Sequence, residues 1–217
     1  MPKRGHFIKK QESLVFYLEL DNTSSGIADI CGSALHQTGT NLSSATFQNV
    51  SCCKMSSSGN TYIYYFEKNL YPLTIVLNIA RTSTSGHGKI FWLNTQHVRD
   101  TAREEGAASI TGRDRLMIGY GLPGYGAYGS WYDSIGNNTW YNVIQVCDGT
   151  NTKTYVNGVL KQDHNLTSNV KNTYIADIGL GSNYITSNHM NGYIRKFMIF
   201  NEARTDIQEL YQATKVI

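Results

Sequence analysis

Charge is scarce in this chain. Only 16% of its 217 residues are Asp, Glu, Lys or Arg, and the formal net charge is +3. That excludes the basic footprint of a nucleic-acid binder and the long charged tails of disordered partners. Long apolar runs are missing as well. No segment approaches the ~20 apolar residues of a membrane-crossing helix, so no membrane insertion is expected. There is no low-complexity linker and no repeat of about 20–50 residues. The four cysteines, Cys31, Cys52, Cys53 and Cys147, lack any C-x-x-C spacing and read as free thiols. The basic opening MPKRGHFIKK leads into QESLVFYLELD, which carries charges where a signal peptide needs an apolar core. The expectation is therefore synthesis and folding in a cytoplasm, where the sequons at Asn22, Asn41, Asn49, Asn137 and Asn165 carry little weight.

Polarity rests instead on Asn, Ser, Thr and Tyr, a composition suited to neutral, hydrogen-bonding surfaces. The length fits one all-β domain over 1–217, with the first dozen residues as an arm. A domain of this size buries roughly 70% of its unfolded surface and needs no covalent staples. Short β-rich runs separated by Gly, Asn, Asp and Ser predict strands at 14–20, 62–66, 73–80, 89–94, 115–120, 140–147, 152–156, 159–162, 175–180 and 193–200. Their spacing predicts a two-sheet antiparallel sandwich. Within TWYNVIQVCDGTNTKTYVNGVLKQ, Asp148–Gly149 opens a short loop and Asn157–Gly158 supplies a type I′ turn, which together predict a three-stranded meander. One helix is predicted at the end. Thr205 is its expected N-cap and Gln208 completes a capping box. Ile207, Leu210 and Tyr211 form its apolar stripe, to be packed on the sandwich.

The pattern W-x-x-V-x-x-x-x-D-G-T-x-x-K-x-Y-V-N-G, from Trp140 to Gly158, resembles the laminin-G-like family, concanavalin A-like jelly rolls. IGLGS at 178–182 and NGYIRKFMIFNEARTDIQELY at 191–211 are similar to that family's closing strand and short helix. The likeness is densest over 139–211 and thins toward the N-terminus. It implies a jelly-roll sandwich with a short C-terminal helix, a core position for Trp140 and a strand position for Trp131. It does not specify activity, because this fold serves adhesion modules, lectins, enzyme appendages and virion parts.

The stretch GYGLPGYGAYGSWYD, 119–133, carries G-x-G-x-x-G twice in tandem, on Gly119, Gly121, Gly124, Gly126 and Gly129. A dinucleotide cradle needs a helix after that motif. Here SWYDSIGNNTW follows, with no helical period, so a phosphate site is excluded. An aromatic loop is the better reading. Tyr125, Tyr128, Trp131 and Tyr132 offer rings that stack on the C–H faces of sugars, with Asp133, Asn137 and Asn138 near them in sequence to bond hydroxyls. The rival is a core or protomer contact, since burying one large aromatic is worth about 1.5–3 kcal/mol.

Catalysis finds no support in the sequence. The glucanases of this architecture carry E-x-D-x-E, which is absent here, as are H-E-x-x-H and G-x-S-x-G. Glu104–Glu105 reads as a solvated turn or helical start, and His87 as a loop-tip residue. The family resemblance raises calcium at the sandwich rim, with Asp148, Asp177 and Asn183 available, because a hard cation takes ~6–8 oxygens. Asp148 is better read as the cap of its own turn. The sequence thus points to a non-catalytic module that binds a glycan or cell-surface ligand. The alternative is a structural assembly protein, a capsid decoration, fibre or tail part at a virion surface. Its partners would be copies of itself or other virion proteins.

Overall fold

The computed structural model describes residues 12–21, 30–31, 36–40, 42–55, 61–69, 72–82, 88–94, 105–111, 115–122, 125–133, 136–148, 150–165, 174–181 and 191–217. Among them, fifteen strands and one helix follow in chain order. The first eight strands are β1 (Leu14–Glu19), β2 (His36–Thr40), β3 (Ser43–Phe47), β4 (Val50–Met55), β5 (Thr61–Asn69), β6 (Leu73–Arg81), β7 (Gly88–Asn94) and β8 (Glu105–Thr111). Then come β9 (Arg115–Leu122), β10 (Tyr125–Asp133), β11 (Tyr141–Cys147), β12 (Asn151–Val156) and β13 (Val159–Asn165). The chain closes with β14 (Tyr174–Gly181), β15 (Gly192–Phe200) and the helix α1 (Ile207–Thr214).

Two antiparallel sheets result. One has the order β13-β12-β11-β6-β15-β4-β3, and the other β10-β9-β8-β7-β14-β5-β2. In the first, one edge of β15 pairs along β6, while its other edge is divided. Residues 192–194 pair with β4 and the remainder of that edge pairs with β1. The chain passes repeatedly from one sheet to the other, as a jelly-roll sandwich requires.

The sequence LTIVLNIAR explains why β6 sits at the centre: every residue from Leu73 to Arg81 is buried. A strand alternates its side chains between faces, so both faces must be covered. On one face Val76 packs with Tyr17, Ile144, Val146, Met198 and Phe200 against Ile207 and Leu210 of α1. The alternate positions Leu73, Ile75, Leu77 and Ile79 are fully buried on the opposite face. There Phe16 meets Phe197 edge-on, with ring centroids 5.7 Å apart.

All ten expected strands are present, their ends moved by at most three residues. The residue pattern missed β2, β3, β4, β8 and β10, although the family resemblance placed Trp131 of β10 on a strand. Segments such as HQTGT and EGAASIT have neither apolar alternation nor many β-branched residues, and only sheet pairing holds them extended. Glu105 is corrected by this: it opens strand β8 opposite Leu93 rather than lying in a turn. Glu104 and His87 lie outside the described residues.

The type I′ hairpin turn is present, with φ of 51° at Asn157 and 79° at Gly158. The apolar stripe of α1 packs on the sheet as expected. Its start does not. The N-cap is Asp206, with no side-chain cap bond, and its carboxylate accepts from Arg204 Nε at 2.7 Å. Arg204 also donates its backbone N–H to Thr74 Oγ1 at 2.9 Å, tying the helix start to β6. Thr205 therefore does not cap. Gln208 reaches across to the Gly158 carbonyl instead of closing a capping box.

Candidate functional site

The tandem glycine motif is a β-hairpin. Gly119 and Gly121 lie in β9, Gly126 and Gly129 in β10, and Gly119 stands directly opposite Gly129. The next element among the described residues is β11. The expected site residues Tyr125, Tyr128, Trp131, Tyr132 and Asp133 all fall on β10, so the anticipated aromatic loop is a strand at the end of its sheet. Tyr128 is in register with Tyr120, Trp131 with Met117, Tyr132 with Leu116 and Asp133 with Arg115. The register slips between Tyr125 and Tyr128, setting Tyr125 apart from the other four. The directions of these side chains lie outside the described structure.

Asp148 behaves as its turn sequence predicts. Its Oδ1 accepts the backbone N–H of Asn151 at 2.7 Å and of Thr150 at 2.9 Å, and the Thr150 hydroxyl at 3.0 Å. Partial burial pushes this carboxyl up, but those hydrogen bonds and Lys153 outweigh it and hold it below its ordinary value. One of its two oxygens is therefore committed to the turn. Among the described residues no group of three His, Cys, Asp or Glu is placed to hold a metal ion. Asn183 lies outside the described residues.

A different set of aromatics is brought together seven residues beyond Asp133. Trp140, just before β11, meets Phe47 edge-on at 6.0 Å between centroids. Phe47, at the end of β3, stacks on Tyr193 of β15 at 4.4 Å, with the rings 14° from parallel. All three are half-buried, so Trp140 lies in a surface ledge rather than in the inter-sheet core. Such offset and edge contacts stabilise each pair by ~0.5–1.5 kcal/mol beyond their burial. The β3–β4 turn holds Phe47 in place through positive φ at Gln48 (51°) and Asn49 (62°). Gln48 then donates to the Asn138 carbonyl at 2.7 Å, and the Asn138 N–H donates to the Arg81 carbonyl at 2.7 Å. Gln48 and Asn49, which follow Phe47 in the chain, and Asn137 and Asn138, which precede Trp140, are exposed amides. The Trp140 Nε1–H is shielded and has no hydrogen-bond partner among the described residues. An apolar ledge flanked in the chain by amide donors and acceptors suits a neutral, hydroxyl-rich ligand.

Sequence reading marked Trp140 alone of these three. QN is a weak hairpin signal, and nothing in the spacing of 47, 140 and 193 announces their meeting.

With this geometry in hand, the comparisons with known proteins are specific about architecture. Residues 115–208 match the family model described as the concanavalin A-like lectin/glucanases superfamily. Over that span the chain is similar to this superfamily. Solved structures similar to it include receptor-binding domains of botulinum neurotoxins. The serotype D binding domain is 18% identical with a TM-score of 0.74, covering 93% of this chain and 52% of that one. A type C structure, of a toxin whose cell entry is described as dependent upon interaction with two ganglioside molecules, is 17% identical with a TM-score of 0.75. It covers 98% of this chain and 53% of its own. The type G receptor-binding domain is 15% identical with a TM-score of 0.71, covering 93% and 51%. The chain thus spans about half the length of the solved chains it matches. At these identities the likeness is one of fold. No curated protein sequence matches the chain.

Proposed function

We propose that this chain is a non-catalytic binding module that recognises a glycan or other cell-surface ligand on the outer face of its sandwich. The observation that carries the reading is the Phe47–Tyr193–Trp140 ledge with the exposed amides that flank it in the chain. The family-model match over 115–208 and the neighbouring receptor-binding domains support a binding role, and the type C neighbour gives an example of ganglioside dependence. Affinity at one such site is modest. A millimolar contact is only about −4 kcal/mol, so the module works by presenting several copies.

The test is a glycan array on wild-type protein, run with calcium and with chelator, beside Phe47→Ala and Tyr128→Ala variants checked for unchanged melting temperature. Loss of binding in Phe47→Ala alone supports the ledge. Loss in Tyr128→Ala alone moves the site to β10. Binding that disappears with chelator brings calcium back into the account. An array with no binding in any arm rejects the glycan reading.

A second reading rests on the terminal strand β13, where Val159 and Leu160 are 54% and 48% exposed. Adjacent exposed aliphatics on a terminal strand favour a protein contact, as in a virion or other assembly part. Sedimentation of wild type against Val159→Lys separates the two readings, since an assembly contact shifts the oligomer and a monomeric module does not change.

A further inference from the structure

Asn78 is out of character with its strand. In LTIVLNIAR it stands among aliphatic residues at the centre of β6, with none of its surface exposed. Neither its carboxamide nitrogen nor its oxygen has a hydrogen-bond partner among the described residues. A buried carboxamide left in that state is costly, and native folds satisfy nearly all such groups with protein or with ordered water.

Its neighbours form a polar row across the sheet. Asn78 stands opposite Asn142 of β11 on one side and opposite Lys196 of β15 on the other. Directly opposed residues of antiparallel strands share a face. The row formed by Met198, Val76 and Ile144 on the same face is apolar, and it packs Ile207 and Leu210 of α1. The helix therefore begins over the apolar row and ends over the polar one, where Thr214 accepts from Asn142 Nδ2 at 2.9 Å. Asn142 is also fixed through its backbone. Its N–H donates to Asn157 Oδ1 at 2.9 Å, and its carbonyl accepts the Asn157 N–H at 2.8 Å. The Asn142 Oδ1 is shielded and accepts no bond among the described residues. Two buried carboxamides thus lie side by side, one offering an acceptor and the other a donor and an acceptor.

The spacing suits a single small molecule. The Cβ atoms of opposed residues are about 4.5–5.5 Å apart, and a water about 2.8 Å from each of two groups spans a gap of that size. It would accept from Asn78 Nδ2 and donate to Asn142 Oδ1. A site that presents an N–H donor as well as acceptors fits water rather than a cation. Solvent also has a short route in. Lys196, opposite Asn78, and Lys215, next to Thr214, line a pocket of about 400 Å³ together with Arg195. We propose that an internal water site lies between Asn78 and Asn142 beneath the end of α1, and that this water joins β6 to the anchor that Asn142 makes with the helix.

The experiment is a crystal structure of the wild-type protein at about 1.2 Å or better, where amide orientations are most securely read. It is paired with water-to-amide cross-relaxation by NMR on nitrogen-15-labelled protein, and with the structure of Asn78→Leu. The expected result is spherical density within about 3.2 Å of both Asn78 Nδ2 and Asn142 Oδ1, and a water cross-peak to the Asn78 side-chain amide. In Asn78→Leu the density should be lost while the Asn142–Thr214 bond stays. Should that variant fail to fold, the two wild-type measurements decide. A direct bond from Asn78 to Asn142 or to Lys196, with no density between the carboxamides, overturns the inference. Density that persists unchanged in Asn78→Leu also overturns it, since the water is then held without Asn78.

Discussion

Gly158, at the tip of the β12–β13 hairpin, lies against the Tyr211 ring of α1: a methyl group on its Cα would sit 2.7 Å from Tyr211 Cδ1. Its φ of +79° is also one that a residue with a Cβ rarely adopts. The same hairpin tip accepts a hydrogen bond from Gln208, so turn and helix are fitted to each other. Gly158→Ala is therefore expected to destabilise the fold by about 1–3 kcal/mol. Gln208→Ala, which loses only the hydrogen bond, should cost about 0.5–1.5 kcal/mol. Urea unfolding of both variants checks the order, and equal midpoints would remove the steric argument.

Gly192 tests close packing within the sheet. A Cβ there would meet the Ala80 carbonyl oxygen at 2.2 Å and Arg81 Cα at 2.8 Å, both backbone atoms that cannot swing away. Gly192→Ala should cost about 3 kcal/mol, at the upper end for overpacking. Because β15 binds three other strands, loss of soluble expression is the result to look for first.

Asn142 and Thr214 join the end of α1 to the sheet. Asn142 Nδ2 donates to Thr214 Oγ1 at 2.9 Å, and that hydroxyl donates to the Leu210 carbonyl at 2.8 Å. Both residues are buried. Thr214→Val keeps the shape and leaves the Asn142 amide without this acceptor, which should cost about 1–3 kcal/mol. Thr214→Ser, which keeps the hydroxyl, should recover most of that loss in the same measurement.

Acid should weaken the fold through Asp206 and Asp148. The hydrogen bond from Arg204 holds the Asp206 carboxyl below its ordinary 3.8, against the upward push of burial. Asp148 is lowered by its turn bonds. For both, the unfolded chain binds more protons than the folded one below the unfolded pKa. Their stabilisation is therefore present above about 3.8 and is lost as pH falls through the lower folded values. Glu19 has the opposite sign. Burial raises it above 4.5 by more than Lys196 and Arg195 lower it, so its ionisation subtracts stability as pH rises past 4.5. In urea midpoints measured across pH, Asp206→Asn should fall less steeply than wild type in acid. Glu19→Gln should lose less than wild type between about pH 4 and pH 7.

The cysteines give a chemical check. Burial pushes the Cys53 and Cys147 thiols up to about 12 and raises Cys52 as well, while Cys31 is half-buried. Thiolate is the reactive form. A thiol reagent at neutral pH should label Cys31 ahead of the other three in native protein, and all four after denaturation. Rapid native labelling of Cys53 would contradict the packing of β4.

What the sequence determined by itself was local and periodic. Alternating β-branched runs marked ten strands, Asn157–Gly158 specified its turn through the φ angles those residues accept, Asp148 announced the loop it caps, and Ile207, Leu210 and Tyr211 showed the helix face that meets the sheet. Each of these depends on residues within a few positions of one another. The tertiary structure alone decided the rest. Weakly patterned segments such as EGAASIT became strands because neighbouring edges supplied their hydrogen bonds. Gln208 left the capping box its spacing suggested because the Gly158 carbonyl lies within its reach. Phe47, Trp140 and Tyr193 became one ledge, and Arg195, Lys196 and Lys215 one pocket, because antiparallel pairing folds distant segments side by side. Contacts of that kind leave no period in the chain, and only closure of the sandwich creates them.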